Sequence, residues 1–259
     1  KGRDKKPSGT VELGGERVKD EHLKLLAEFK SLIYVVFNPG TKVTADGLKP
    51  LADVKGLIRV FVMGKEFGDP HAKTLSALKN LENVYFRNSE LTDDGVKTLA
   101  GLAKLTGLDL QGSKKVAGKT LGELKGAKGL SSLQLTGTGV TGETLGALSI
   151  LPALSVVFAN STPFSDAGMK ELAKLPKLRS VELNRTAVTD AGLAELKGRE
   201  GIEELQIAGS KVGDASIPVL VSMKGLRQLA VSKDQFAKLD DLKKALPKCN
   251  VRVITPLAE

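Results

Sequence analysis

The feature that most constrains this chain is a repeat of 24 or 25 residues that runs along its length. Apolar residues mark it in columns. The first column reads Val11, Val35, Val60, Val84, Leu108, Leu133, Val157, Val181, Leu205, Leu229 and Val251. The second lies two places later, at Leu13, Phe37, Val62, Phe86, Leu110, Leu135, Ala159, Leu183, Ile207, Val231 and Val253, with intervals of 24, 25, 24, 24, 25, 24, 24, 24, 24 and 22. Such alternation puts both columns on one face of a short strand and the intervening residues on the other. A third column follows each strand: Val18, Val43, Phe67, Leu91, Val116, Val140, Phe164, Val188, Val212 and Phe236. No unit of this size buries its apolar residues alone, so the units must stack. Both 25-residue intervals carry their extra residue between the second and third columns, within residues 38–42 and 111–115, which marks a surface loop.

Residues 178–196, LRSVELNRTAVTDAGLAEL, show the unit clearly. Thr189 is placed to cap a helix, and Val188 and Leu193 to staple its first turn. Asp190, in that first turn, suits the helix dipole. The same start recurs at Thr44, Thr92 and Ser165, and Asp46, Asp93, Asp166 and Asp214 belong to such starts as well. The hydroxyls of Thr41, Ser89, Thr138, Thr162, Thr186 and Ser210 stand two places before the third column, which predicts a ladder of backbone bonds. Residues 17–30 read as a polar amphipathic first helix and 239–246 as a charged last one, as capping units require. Ala159 is the one small residue of its column, and Phe164, five places later, is expected to fill the space. Glycine is dense between residues 111 and 150, so this stretch is expected to be the least stable.

The pattern LxxLxLxxTxVTDxGLxxL resembles the leucine-rich-repeat family. It is most similar to a short bacterial form with a V-T-D-x-G-L signature, and more distantly to the repeats of F-box substrate adaptors and ribonuclease inhibitors. The resemblance covers residues 10–254. It implies an α/β fold, a right-handed leucine-rich-repeat solenoid or horseshoe with a parallel β-sheet on the concave face and short helices on the convex face. The expected organisation is a basic tail, residues 1–9, followed by one repeat domain, residues 10–259, of about ten 24–25-residue units including caps. The family is defined by scaffold residues, so the resemblance implies no particular ligand.

Chemistry is sparse. The two histidines, His22 and His71, occupy equivalent positions two units apart, roughly 10 Å on strand spacing, and no acid-cysteine cluster accompanies them. Cys249 takes a core position, a place for packing rather than for a catalytic thiol. No phosphate loop or nucleophile elbow is present. The reading is therefore of a protein that is not an enzyme and takes no cofactor or metal. Asn160 and Asn184 head glycosylation triplets that the repeat itself generates. No apolar run is long enough for a membrane span. The net charge is +9, of which the first nine residues supply +3, with four basic groups against one acid. That leaves a modestly basic body and disfavours nucleic acid as the partner. The start at Lys1, without a hydrophobic leader, favours an exported protein, periplasmic or extracellular, over a cytoplasmic one.

Function must then lie on strand residues that the scaffold leaves free. Between the two buried columns stand Val36, Phe61 and Tyr85 on successive strands, flanked by Tyr34, Arg59, Met63, Asn83 and Arg87. Both tyrosines of the chain fall in this group. Exposed aromatics with arginine are the usual composition of protein-binding hot spots. Asp109 adjoins the group, and Phe158 with Val156 makes a smaller apolar patch further along. These residues predict a binding scaffold that holds a protein or peptide in the concave face. A glycan or other polyanion held by the basic tail and the cradle is the alternative, and a homodimer is a further way to cover the aromatics.

Overall fold

The computed structural model describes residues 9–255. The predicted basic tail, apart from Gly9, and the last four residues lie outside the described residues. Among the described residues eleven strands form one sheet, in chain order and parallel throughout. They are β1 (Thr10–Leu13), β2 (Tyr34–Phe37), β3 (Arg59–Met63), β4 (Asn83–Arg87), β5 (Gly107–Asp109), β6 (Ser132–Gln134), β7 (Val156–Phe158), β8 (Ser180–Glu182), β9 (Glu204–Gln206), β10 (Gln228–Val231) and β11 (Asn250–Val253). The register joins equivalent residues of every unit, as in Val35 with Val60 and Val60 with Val84. The sheet is therefore the sequence repeat in space.

Each strand from β1 to β10 leads through a turn into a helical segment packed behind the sheet. From β1 to β9 the turn holds a residue in the left-handed region, as at Gly112, Gly137 and Gly209 in some units and at Asn88, Ser161 and Arg185 in others. Helices are α1 (Asp20–Leu23), α2 (Asp69–Leu75), α3 (Asp93–Leu99), α4 (Asp166–Ala173), α5 (Asp190–Ala194), α6 (Ile217–Ser222) and α7 (Leu239–Ala245). Three units instead carry 3-10 turns, at Asp46–Asp53, Leu121–Gly126 and Glu143–Ile150. The first contains Pro50, which lacks the N–H that an α-helix needs. The second holds two glycines in six residues, and glycine disfavours α-helix; the third has Gly146 within it and Gly142 at its N-cap. The predicted first helix is also broken. After α1 the chain turns 3-10 over Lys24–Glu28 and leaves Leu25, Phe29 and Ile33 exposed, so the first unit is less polar than expected.

The core is a single column of side chains between sheet and helices. Val60, Val84, Leu133, Val157, Val181, Leu205 and Leu229 are fully buried, and so are most residues of the second and third columns. Strands spaced about 4.8 Å apart against helices about 10 Å across bend such a stack with the sheet on the inside. The sheet face turned away from the core is thus the inner face.

The helix starts hold the units together in a way their spacing does not reveal. Thr189 caps α5 as expected, accepting from the Ala191 amide. Its own hydroxyl donates to Asp166 of the preceding unit at 2.6 Å, and its amide donates to the same carboxylate at 2.8 Å. The identical pair of bonds joins Asp69 to Thr92 and Asp20 to Thr44. Asp93, Asp190 and Asp214 reach the next unit through the amides of Gly118, Gly213 and Lys238. Each aspartate is thus a staple between units, beyond any service to its own helix dipole. Asp46 is the exception: it lies one place further on, with Ala45 at the staple position, and pairs with Lys49.

Thr138, Thr162 and Thr186 form the expected hydroxyl ladder, donating to the carbonyls of Leu135, Ala159 and Leu183. Ser89 bonds Ser113 instead, and the buried Thr41 hydroxyl has no partner among the described residues. Phe164 is fully buried, with its ring against Gly168 of α4.

Candidate functional site on the inner face of the sheet

Register settles which candidate side chains meet. Val36, Phe61, Tyr85 and Asp109 occupy one row across β2 to β5, and Tyr34, Arg59 and Asn83 the row beside it. From β2 and β4 the rings of Tyr34 and Tyr85 approach to 6.4 Å between centroids, spanning β3. The Phe61 ring lies 5.6 Å from Tyr85. The Arg87 guanidinium sits 5.5 Å from the centre of the Phe61 ring, within cation–π range. Three aromatic rings and one arginine therefore form a single packed cluster. Its members are all partly exposed, and Met63 stands beside Arg87 at its edge.

Two candidates have other roles than contact. Asp109 is 5% exposed. Its carboxylate accepts from Arg87 Nε at 2.8 Å and from a terminal guanidinium nitrogen at 2.6 Å, and its other oxygen accepts from the Gln111 amide. It holds Arg87 in place and neutralises it. Val36 is 9% exposed and supports the cluster from within. The expectation of Val36 as an open apolar surface is corrected accordingly: on a sheet, long neighbours on adjacent strands cover a short side chain between them. Asn83 donates to Thr106 Oγ1, and its amide lies over Gly107, where any side chain would collide with it. Phe158 stands three strands beyond Tyr85 in the same row, apart from the cluster.

Arg59 differs from all of these. It is exposed, and its side chain has no hydrogen-bond or ion-pair partner among the described residues. Burial pushes the Tyr34 phenol above its ordinary pKa, reinforced by Tyr85, while Arg87 and Arg59 pull it down, so both arginines act on this ring.

Neither a protein-family model nor a curated protein matches this sequence. Solved structures do. An internalin (inlF) from Listeria monocytogenes aligns with a TM-score of 0.61 at 18% identity, covering 94% of this chain and 79% of that one. An internalin C2 from the same organism aligns at 0.55 and 19%, covering 86% and 80%. An LRR protein of Leptospira interrogans aligns at 0.55 and 15%, covering 88% and 74%. The chain is a leucine-rich-repeat solenoid. At these identities the likeness concerns the fold.

The far half of the solenoid's inner face is polar and internally bonded, a feature the repeat reading passed over. Asn160 donates to Glu182 at 2.7 Å and accepts from the Asn184 amide, and Asn184 repeats the arrangement with Gln206 and the Ala208 amide. Gln206 donates in turn to Glu182 and Glu204. Burial holds the Glu182 carboxyl above its ordinary pKa, against the bond from Asn160. Both asparagines of the glycosylation triplets thus have their side-chain amides engaged within the solenoid. The signal was legible as asparagine recurring at one unit position in Asn160 and Asn184. Elsewhere, His22 and His71 each accept an amide of their own helix start, and burial raises the Cys249 thiol pKa. Among the described residues no three His, Cys, Asp or Glu side chains converge as a metal site, and no helix is long and apolar enough to cross a membrane.

Proposed function

We propose that this solenoid is a non-catalytic binding scaffold that recognises a protein or peptide through the inner face of its sheet. The reading is carried by the cluster of Tyr34, Phe61, Tyr85 and Arg87. Its rings are packed against each other and its arginine is fixed by Asp109 before any partner arrives. Rigid aromatic side chains bind with little loss of rotamer freedom, which favours them as anchors. The likeness to internalins supports a scaffold of this shape and leaves the partner open.

The test is capture of a partner from the source cell's extract and envelope fractions by wild type, by a Phe61→Ala/Tyr85→Ala double variant and by a convex-face control such as Lys97→Ala. Loss of two hot-spot aromatics costs about 2 kcal/mol or more, enough to remove the partner from the double variant alone. A partner retained equally by all three would place the binding surface elsewhere. Retention that falls steeply with added salt in all three proteins would instead indicate a polyanion ligand.

A further inference from the structure

Two arginines stand at the aromatic cluster in opposite states, one within it and one beside it. Arg87 has its charge met by Asp109 through two bonds and its face laid on Phe61. Arg59, on the neighbouring strand, lies between Tyr34 and Asn83 in register, and its guanidinium has no partner among the described residues. It is two places before Phe61 on β3, so both side chains leave the sheet on the same face. Among the described residues, the unspent positive charge beside the aromatic cluster is therefore that of Arg59. Asn83, the next residue in its row, is neutral and bonds Thr106.

Resting on the reading of this cluster as a partner site, we propose that its occupant is an internal protein segment in which an aromatic or large aliphatic residue is followed closely by Asp or Glu. The apolar side chain seats against Phe61 and Tyr85. The carboxylate pairs with the Arg59 guanidinium, whose planar donors suit a two-point contact. Arg87 takes no part in reading the charge; it shapes the surface on which the apolar residue rests. Arg59 is thus the residue that sets specificity for an acidic neighbour.

Nature supplies a clean reporter. The chain has two tyrosines and no tryptophan, and both tyrosines lie in the cluster, so its intrinsic emission reports on this surface. The probes are capped synthetic peptides in a Gly-Ser frame, free of Tyr and Trp. One carries Phe-Asp, one Phe-Asn and one Ser-Asp, and a fourth ends in Phe with a free carboxylate. Affinity is read from tyrosine emission and from amide shifts of β3 and β4. The expected result is that Phe-Asp binds wild type about fivefold more tightly than Phe-Asn, as an exposed ion pair allows. That advantage disappears in Arg59→Gln, partly returns in Arg59→Lys, and shrinks with salt. Arg59 is exposed, so its variants fold.

Equal affinity for Phe-Asp and Phe-Asn overturns the role of Arg59 while leaving the aromatic site intact. Binding of Ser-Asp as tight as Phe-Asp overturns the paired chemistry, and so does an advantage that survives in Arg59→Gln. Preference for the free carboxylate replaces the internal segment by a chain end. Absence of binding by every peptide overturns the inference, whereas the proposed function stands or falls on partner capture by the Phe61→Ala/Tyr85→Ala variant.

Discussion

At the scale of the residue, the V-T-D-x-G-L string is a contact between consecutive units written inside each of them. A side chain at Gly192 would put its Cβ 2.1 Å from Asp166 Oδ1; at Gly47 the distance to Asp20 Oδ1 is 1.9 Å, and at Gly95 to Asp69 Oδ1 it is 2.3 Å. In these three units, the ones with the paired Asp–Thr bonds, the glycine leaves room for the preceding unit's aspartate; after Asp93 and Asp190 the position instead holds Thr120 and Ser216, whose hydroxyls donate to the Asp93 carbonyl and the Asp190 carboxylate. Where the preceding unit has Ala45 or Gly118 in place of Asp, the equivalent position holds His71 or Thr144. After Gly142 it holds Gly168, under the Phe164 ring. The rule was present in the sequence. It links residues more than 20 apart, so reading one unit at a time assigned the aspartate to its own helix. A test follows from the sign of the effect. In a free helix Gly→Ala stabilises by about 1 kcal/mol. Here Gly192→Ala is expected to destabilise by about 2 kcal/mol through overpacking. In an Asp166→Ala background its cost should fall below about 1 kcal/mol. Urea denaturation of the four proteins measures this, and equal costs in both backgrounds would refute the staple's claim on that space.

His71 offers a second residue-scale test. Its Nδ1 accepts from the Gly68 amide, so the ring proton sits on Nε2, which donates to the Val43 carbonyl at 3.2 Å. Burial lowers its pKa below the ordinary value. The native state then binds fewer protons than the unfolded one. The resulting stability is complete above the unfolded pKa, about 6.5, and is lost as pH falls through the lower native value. Melting temperature should therefore drop more between pH 7 and pH 5 for wild type than for His71→Gln. Parallel profiles would show that His71 does not titrate in that window.

At the scale of the element, the staples explain where the stack is weak. Gly118 and Gly142 stand at two consecutive staple positions, so the junctions that follow both lack a carboxylate. The helical segments on either side of the first, Leu121–Gly126 and Glu143–Ile150, are 3-10 turns rather than α-helices. Glycine density already pointed to residues 111–150 as the least stable; the missing staples supply a reason that propensity alone does not contain. Amide exchange should be faster in the 121–150 helical segments than in α4 and α5, whose junction carries the full Asp166–Thr189 pair. Exchange that is equal or slower there would remove both arguments together. Refilling the positions is not open as a remedy, because a Cβ at Gly142 meets the Gly168 amide at 2.6 Å and Gly118 has φ of +87°.

At the scale of the molecule, the eleven parallel strands and their register were legible because the apolar columns fix them: one residue of slippage would turn every core side chain outward. The inner-face aromatics were legible for the same reason, as the residues left over. What the columns did not carry was the state of those residues. That Asp109 is spent on Arg87, that Val36 is covered and that Arg59 is free depend on side chains reaching between strands, which spacing does not encode.

A solenoid whose neighbours touch only neighbours unfolds as a chain of coupled units, and its cooperativity breaks first at its poorest interfaces. Two unstapled junctions in succession divide this one into a half bearing the tyrosine cluster, with β1 to β5, and a half bearing the Asn160–Glu182–Gln206 network, with β7 to β11. Tyrosine emission reports only the first half, while far-ultraviolet circular dichroism reports both. In urea the two signals should give midpoints that differ, with the circular dichroism transition the broader. Shortening the chain is not needed to see this, since the first half carries a signal of its own within the intact protein. Coincident midpoints and slopes would mean that packing of the continuous apolar column couples the halves strongly enough to override the two missing carboxylates.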